Sequence, residues 1–344
     1  MLASAPAGLL SSRFIGLVAD LTPRRLPLAR VSVTALLVAM LTVVPLLAST
    51  YQVYVLTTLL IACIGALGLN VLTGLAGQIS IGHAAFIGVG AFASALLVSR
   101  ANLPFWLSLP AAGCAAALVG LAFGLPSVRI KGLYLAIATL AAQVIIEWVL
   151  SRPAIAGGGS VAAPRPALLE DDRAYYILVL CITLLGVVFA ANLVRTRIGR
   201  ALVAVRDRDI AAAVIGVDVP RYKLLAFGVS SFYAGVAGAL LGHLGRAVNF
   251  EQFQLELSIQ YLAMIVIGGL GSIRGSVFGA VFVTLLPIVL REVLSGFDGV
   301  LPGSSAVALS SIQFLLFGAV IVVFMVLEPR GLAHLIKWRG RLRV

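Results

Sequence analysis

Asn70, Gln78, Ser80 and His83 interrupt an otherwise apolar stretch that also carries Gly74, Gly77 and Gly82. Amide, hydroxyl and imidazole groups in such a setting can do two kinds of work. They can bond between helices, or they can line a polar route. Amides freed at the start of a half-helix can also hold an anionic group. Small residues merely let helices approach, and the two readings are compatible. Glu147 is an acid inside an apolar run. It stands near the end of its run, where it can join such a route or snorkel to an interface. Asn70, Gln78, Ser80, His83 and Glu147 are therefore the candidate pathway residues.

Other chemistry is missing. There is no phosphate-binding G-x-x-x-x-G-K-[ST] loop, no HExxH and no G-x-S-x-G elbow, and the only lysines are Lys131, Lys223 and Lys337. Cys63, Cys114 and Cys181 lie singly in apolar runs without metal-ligand spacing, and read as packed thiols. No metal and no bound cofactor is expected. An energy source is expected on another chain.

Two further motifs stand out. Gly271, Gly275 and Gly279 recur every fourth residue after Gly268 and Gly269, a spacing suited to close helix packing. The two glycine-rich breaks lie in opposite halves of the chain, as in a repeat. Between them, residues 195–222 hold Arg195, Arg197, Arg200, Arg206, Arg208 and Arg221, with Ala211, Ala212 and Ala213 beside Gly216. Such a stretch can lie on anionic lipid headgroups, and its small residues allow another protein to dock closely. A helix is expected to end at Gly216 and a new one to start after Pro220.

The elements that carry these residues follow from composition. Of 344 residues, 61% are hydrophobic and 11% charged, with a mean hydropathy of +1.11. That excludes an ordinary soluble enzyme, a disordered chain and a disulfide scaffold. The class is all-α: a polytopic transmembrane bundle of about ten spans with glycine-rich broken helices. The apolar runs are 31–49, 52–72, 79–99, 105–125, 132–150, 174–194, 223–244, 257–271, 275–294 and 306–327. The run 257–271 is short and ends in glycines, so it is not expected to cross as a regular helix. Arg13, Arg24, Arg25 and Arg30 leave no signal-peptide pattern at the start.

Orientation comes from the basic residues. With the N-terminus inside, inner segments hold nineteen Lys and Arg and outer segments six. The net charge of +12 is thereby assigned to the membrane, not to nucleic acid. The expected organisation is a cytoplasmic segment 1–30, a transmembrane domain 31–327 with an inner loop 195–222, and a basic cytoplasmic tail 328–344. Both termini are cytoplasmic. The glycine-bearing segment 151–173 lies outside.

The chain resembles the permease subunits of branched-chain amino acid ABC importers. The resemblance is carried by GLNVLTGLAGQISIGHAAFIGVGAF at 68–92, IKGLYLAIATLA at 130–141, TRIGRALVAVRDRDIAAAVIGVDVPRYKLLAF at 196–227 and IGGLGSIRGSVFGAV at 267–281. It implies a multi-pass protein of the bacterial inner membrane. It also implies two ATP-binding subunits, a second related permease, and a periplasmic substrate-binding protein that docks on the outer loops. ATP binds the partner chain. A coupling helix around Arg206–Gly216 is implied, with Arg206, Asp209, Ala211, Ala212 and Gly216 as its coupling residues. The family's glutamate position holds Ile210, and Asp209 is the nearest acid. Relatives carry urea, short amides or aromatic acids. An ion-coupled transporter is the rival from another class. It would need an acid–base relay, for which only Glu147 and His83 are available.

Overall fold

The computed structural model describes residues 47–152, 155, 160–295, 315, 318, 319, 321–323 and 332. The segments 1–30 and 333–344, residues Gly157–Gly159 and most of the runs 31–49 and 306–327 lie outside the described residues. The described residues are 82% helical. In order come α1 (Thr50–Leu69), α2 (His83–Ser99), α3 (Phe105–Gly124), α4 (Leu133–Leu150), β1 (Ser160–Ala162), α5 (Asp172–Arg195), α6 (Arg197–Asp207) and α7 (Asp209–Val214). Then follow α8 (Val219–Gly245), β2 (Ala247–Asn249), α9 (Leu255–Gly268) and α10 (Ile273–Ser295). Among the described residues, six helices are long and apolar enough to cross a membrane: α1, α3, α4, α5, α8 and α10. The 17 residues of α2 and the 14 of α9 fall short of the roughly 20 that a regular span needs.

Helix ends follow local chemistry. Asp171 caps α5 by accepting from the Arg173 amide, Asp172 follows it, and Arg195 sits in the last turn. That order suits the helix dipole. Asp218 caps α8 from the Arg221 amide, with a proline in the first turn.

Burial sorts the helices into layers. The most apolar window of α1 is 83% buried within the protein and that of α8 61%, against 28% for α5 and α10. The outer helices turn Leu118, Val144, Leu185, Phe189 and Phe278 outward, as a lipid-facing surface requires. The centre is held by close backbone approach. A Cβ at Gly90 of α2 would run into the Gly235 backbone of α8, and one at Gly238 into the Ile87 carbonyl.

The connections gather at two ends. At one end, β1 pairs antiparallel with β2, setting buried Val161 opposite buried Val248. There the Arg165 guanidinium donates to the His243 and Leu244 carbonyls and to Asp172, each within 2.8 Å. At the other end meet residues 76–82, 129–132, 195–223 and 269–272, joined by the bonds described below. This small sheet departs from the all-α expectation. Its strands are three residues long, too short to show an alternating pattern.

Candidate functional site

The segment 74–83 is broken as its glycines and polar residues suggest. After Leu69, α1 widens into a π turn, Asn70–Leu75. The Ala76 amide donates to the Val71 carbonyl at 3.2 Å and the Gln78 amide to the Leu72 carbonyl at 3.1 Å. Gly77 then turns the chain with φ +69, a conformation that costs a side-chain-bearing residue energy. The next helix starts at His83.

The amides at that start have partners inside the protein. Ile81 N–H donates to Thr139 Oγ1 at 3.0 Å, Ala84 N–H to Ser258 Oγ at 2.8 Å and Ala85 N–H to Gln143 Oε1 at 2.8 Å. Gln143 Nε2 in turn donates to the Phe253 carbonyl at 2.7 Å. The idea that freed amides here hold an anionic group is corrected at these three donors. Side chains from α4 and α9 already occupy them.

The polar side chains of the break are buried among helices. Gln78 Nε2 donates to the Lys223 carbonyl at 3.2 Å. His83 Nε2 lies 3.0 Å from the Gly65 carbonyl, which can only accept, so Nε2 carries the proton. The Tyr261 ring stands edge-on to the imidazole at 5.5 Å. Gln78 Oε1, Ser80 Oγ and His83 Nδ1 are buried without a hydrogen-bond partner. The network is thus half satisfied. Asn70 reaches the second break, its Oδ1 accepting from the Gly271 amide at 2.8 Å.

That second break separates α9 from α10. Gly269 and Gly271 have φ of +108 and +78. A Cβ at Gly275 would meet the Gly268 carbonyl, and one at Gly279 the Met264 carbonyl. Gly275 and Gly279 therefore stand at the α9–α10 crossing. Gly271 stands apart from them, in the turn.

The inner loop is an elbow, not one helix. The single coupling helix expected over Arg206–Gly216 is divided at Arg208, whose φ −154 and ψ 97 are extended. On α6, Thr196 caps the start, Leu202 packs in one cluster with Val71, Leu72, Leu75 and Phe227, and Val205 is buried. On α7, Ile210, Val214 and Ile215 just beyond it are 76%, 83% and 75% exposed. Ala211 is exposed, and so is Gly216, where φ of +89 ends the segment. Ala212 is 2% exposed and faces the bundle, so the small-residue surface is smaller than its sequence suggests. Arg206 turns inward, its Nη1 donating to the Gly74 carbonyl at 2.7 Å.

Asp209 faces its own chain. It pairs with Lys131 and stands 4.0 Å from Lys223. The hydrogen bond from the Lys131 ammonium is the main reason its carboxyl is held below the usual carboxylate range.

Glu147 is half-buried on α4, one turn beyond Gln143, and takes no part in the network around the break. Thr139, Gln143, Ser258 and Tyr261 do, and sequence reasoning missed them. Gln143 was an amide in plain view within the run 132–150. The hydroxyls carried no such signal. Among the described residues, no three His, Cys, Asp or Glu side chains gather as metal ligands would.

Residues 51–325 match the family described as the permease component of branched-chain amino acid transport systems. LivM of Escherichia coli, a high-affinity branched-chain amino acid transport system permease protein, is 31% identical over 84% of this chain and 71% of its own length. A probable LivM of Methanocaldococcus jannaschii is 22% identical over 62% of this chain and 64% of its own. LivH of Salmonella typhimurium, a permease protein of a system with the same description, is 21% identical over 67% of this chain and 82% of its own. No solved structure matches. Among the described residues, six apolar helices of spanning length and two glycine-hinged breaks agree with a match over most of the chain: this multi-pass membrane protein belongs to the permease components of branched-chain amino acid transport systems.

Proposed function

We propose that the chain is one membrane-spanning subunit of an ATP-driven ABC importer for branched-chain amino acids in a bacterial inner membrane. It pairs with a second, related permease. Its likeness to both LivM and LivH, permease proteins of systems with one description, supports that pairing. Two ATP-binding subunits lie on the cytoplasmic side and a substrate-binding protein outside. ATP is bound and hydrolysed on the partner chains, and this chain holds no cofactor. Both termini face the cytoplasm and about ten spans cross, a reading that the nineteen-to-six distribution of Lys and Arg supports.

The observation that carries the reading is the exposed apolar knob of α7. Ile210, Val214 and Ile215 project from the end of the bundle where the basic residues gather. Three large exposed apolar side chains at a helix tip mark a protein contact. In this reading they enter the ATPase, with Ala211 and Gly216 at the rim. Arg206, Asp209 and Ala212 position the elbow from within. The break at 74–83 lies on the transport pathway. Movement there completes the bonds that Gln78 Oε1, Ser80 Oγ and His83 Nδ1 lack. Glu147 is apart from these groups and is left out of the pathway.

Uptake of radiolabelled leucine tests the function, in cells expressing the chain with its neighbouring subunits. Depletion of ATP should abolish uptake, and loss of the proton gradient at constant ATP should leave it unchanged. The reverse dependence contradicts the proposal and favours an ion-coupled transporter.

A further inference from the structure

Arg206 joins parts of the fold that are far apart in sequence. Its Nη1 donates to the Gly74 carbonyl at 2.7 Å, in the last turn of the π segment, where carbonyls run out of helical partners. Its stem covers Gly77, where a Cβ would stand 2.6 Å from Arg206 Cγ. At Gly271 a Cβ would stand 3.1 Å from Arg206 Nη1 and 3.1 Å from the Gly74 carbonyl oxygen. Two positive-φ glycines, at +69 and +78, thus make the space that the guanidinium fills. From the other side, Asp207 Oδ1 receives Arg206 Nε and Nη2, each at 3.1 Å. Asn70 completes the link by accepting from the Gly271 amide at 2.8 Å.

We propose that Arg206 is a positioning residue, a pin that ties the elbow to both glycine breaks so that a displacement of α6 and α7 alters the two breaks together. The inference rests on the proposed function, in which a partner ATPase displaces the elbow. Geometry favours Arg for the role. A planar fork can bond Gly74, lie against Gly271 and stay aligned by Asp207 at once, whereas one ammonium cannot. The π turn it holds is the kind of widened turn that recurs at functional sites. Because Leu202 of α6 packs in one cluster with Val71, Leu72 and Leu75, the elbow cannot tilt without moving that turn. The basic loop thereby acts inward, on the breaks, in addition to its outward contact.

Hydrogen–deuterium exchange on the purified complex tests this, comparing the unsubstituted chain with Arg206→Gln, Arg206→Lys and Asp207→Asn. Asp207 is 61% exposed, so its variant leaves packing intact even if Arg206→Gln folds poorly. Without nucleotide, Arg206→Gln should speed exchange at both 76–78 and 270–272 by about tenfold, within the roughly 5–150-fold range of coupling between sites. Asp207→Asn and Arg206→Lys should speed the same two segments by less. With ATP and vanadate, the unsubstituted chain should change exchange at both segments, and Arg206→Gln should show no further change while its ATPase subunits stay attached. Unaltered exchange in both Arg206→Gln and Asp207→Asn, a change at one break alone, or a full nucleotide response in Arg206→Gln overturns the pin. If the unsubstituted chain binds no ATPase, the proposed function fails instead, and the nucleotide-free comparison still decides the pin.

Discussion

Gln143 and Gln78 are both buried amides near one break, yet they should differ in weight. Gln143 bonds the Ala85 amide and the Phe253 carbonyl at 2.8 and 2.7 Å. Gln143→Leu leaves both buried groups unpaired, at about 1–3 kcal/mol each. Gln78 makes one side-chain bond of 3.2 Å and already carries an unpartnered Oε1, so Gln78→Leu should cost less. Thermal melting of the purified protein should therefore fall more for Gln143→Leu than for Gln78→Leu; the opposite order contradicts the network. Asp209 adds a pH dependence. Its folded-state carboxyl is held below the ordinary range, chiefly by Lys131, so its contribution is complete above the unfolded value and is lost as pH falls through the folded one. Acidification through that window should raise proteolytic nicking of the elbow, and Asp209→Asn should nick equally at both ends of it. The effect is small, since pairs with an exposed partner are worth about 0–1 kcal/mol. At this scale the sequence disclosed which residues were polar in apolar runs, but not their partners. Ala84 meets Ser258 across 174 positions and Ile81 meets Thr139 across 58, and no local pattern encodes those meetings.

Element behaviour depends on where backbones touch. Gly90 and Gly245 both belong to helices, but a Cβ at Gly90 would strike the Gly235 backbone while one at Gly245 meets nothing within 4 Å. Gly90→Ala should therefore abolish stable expression, since backbone cannot yield as a flexible side chain can. Gly245→Ala should leave expression and melting unchanged; equal tolerance of both would contradict the α2–α8 crossing. The breaks at Gly77 and Gly271 were legible because glycine and polar residues interrupt apolar runs. The shortness of α9 was legible for the same reason. The division of α6 from α7 was not, because Asp207-Arg208-Asp209 contains neither Gly nor Pro. Tertiary bonds make that corner: Asp209 is drawn to Lys131 and Lys223, and Ala212 is buried.

For the whole molecule, the proposed sidedness rests on charge, and the structure sets the best positions to probe it. Arg165 is a poor reporter, since its side chain is 2% exposed. Leu168 is 81% exposed at one end of the bundle and Ile215 75% exposed at the other. In a background lacking Cys63, Cys114 and Cys181, Leu168→Cys should react with an impermeant maleimide on intact cells. Ile215→Cys should react only after permeabilisation; equal labelling of both from outside contradicts the orientation. The proposed docking of an ATPase on α7, at this end of the bundle, is tested by co-purification of the neighbouring ATPase subunits with the tagged chain. The unsubstituted chain should retain them, and the double variant Ile210→Asp with Val214→Asp should lose them at normal membrane yield. Retention at full stoichiometry by the double variant would contradict the account.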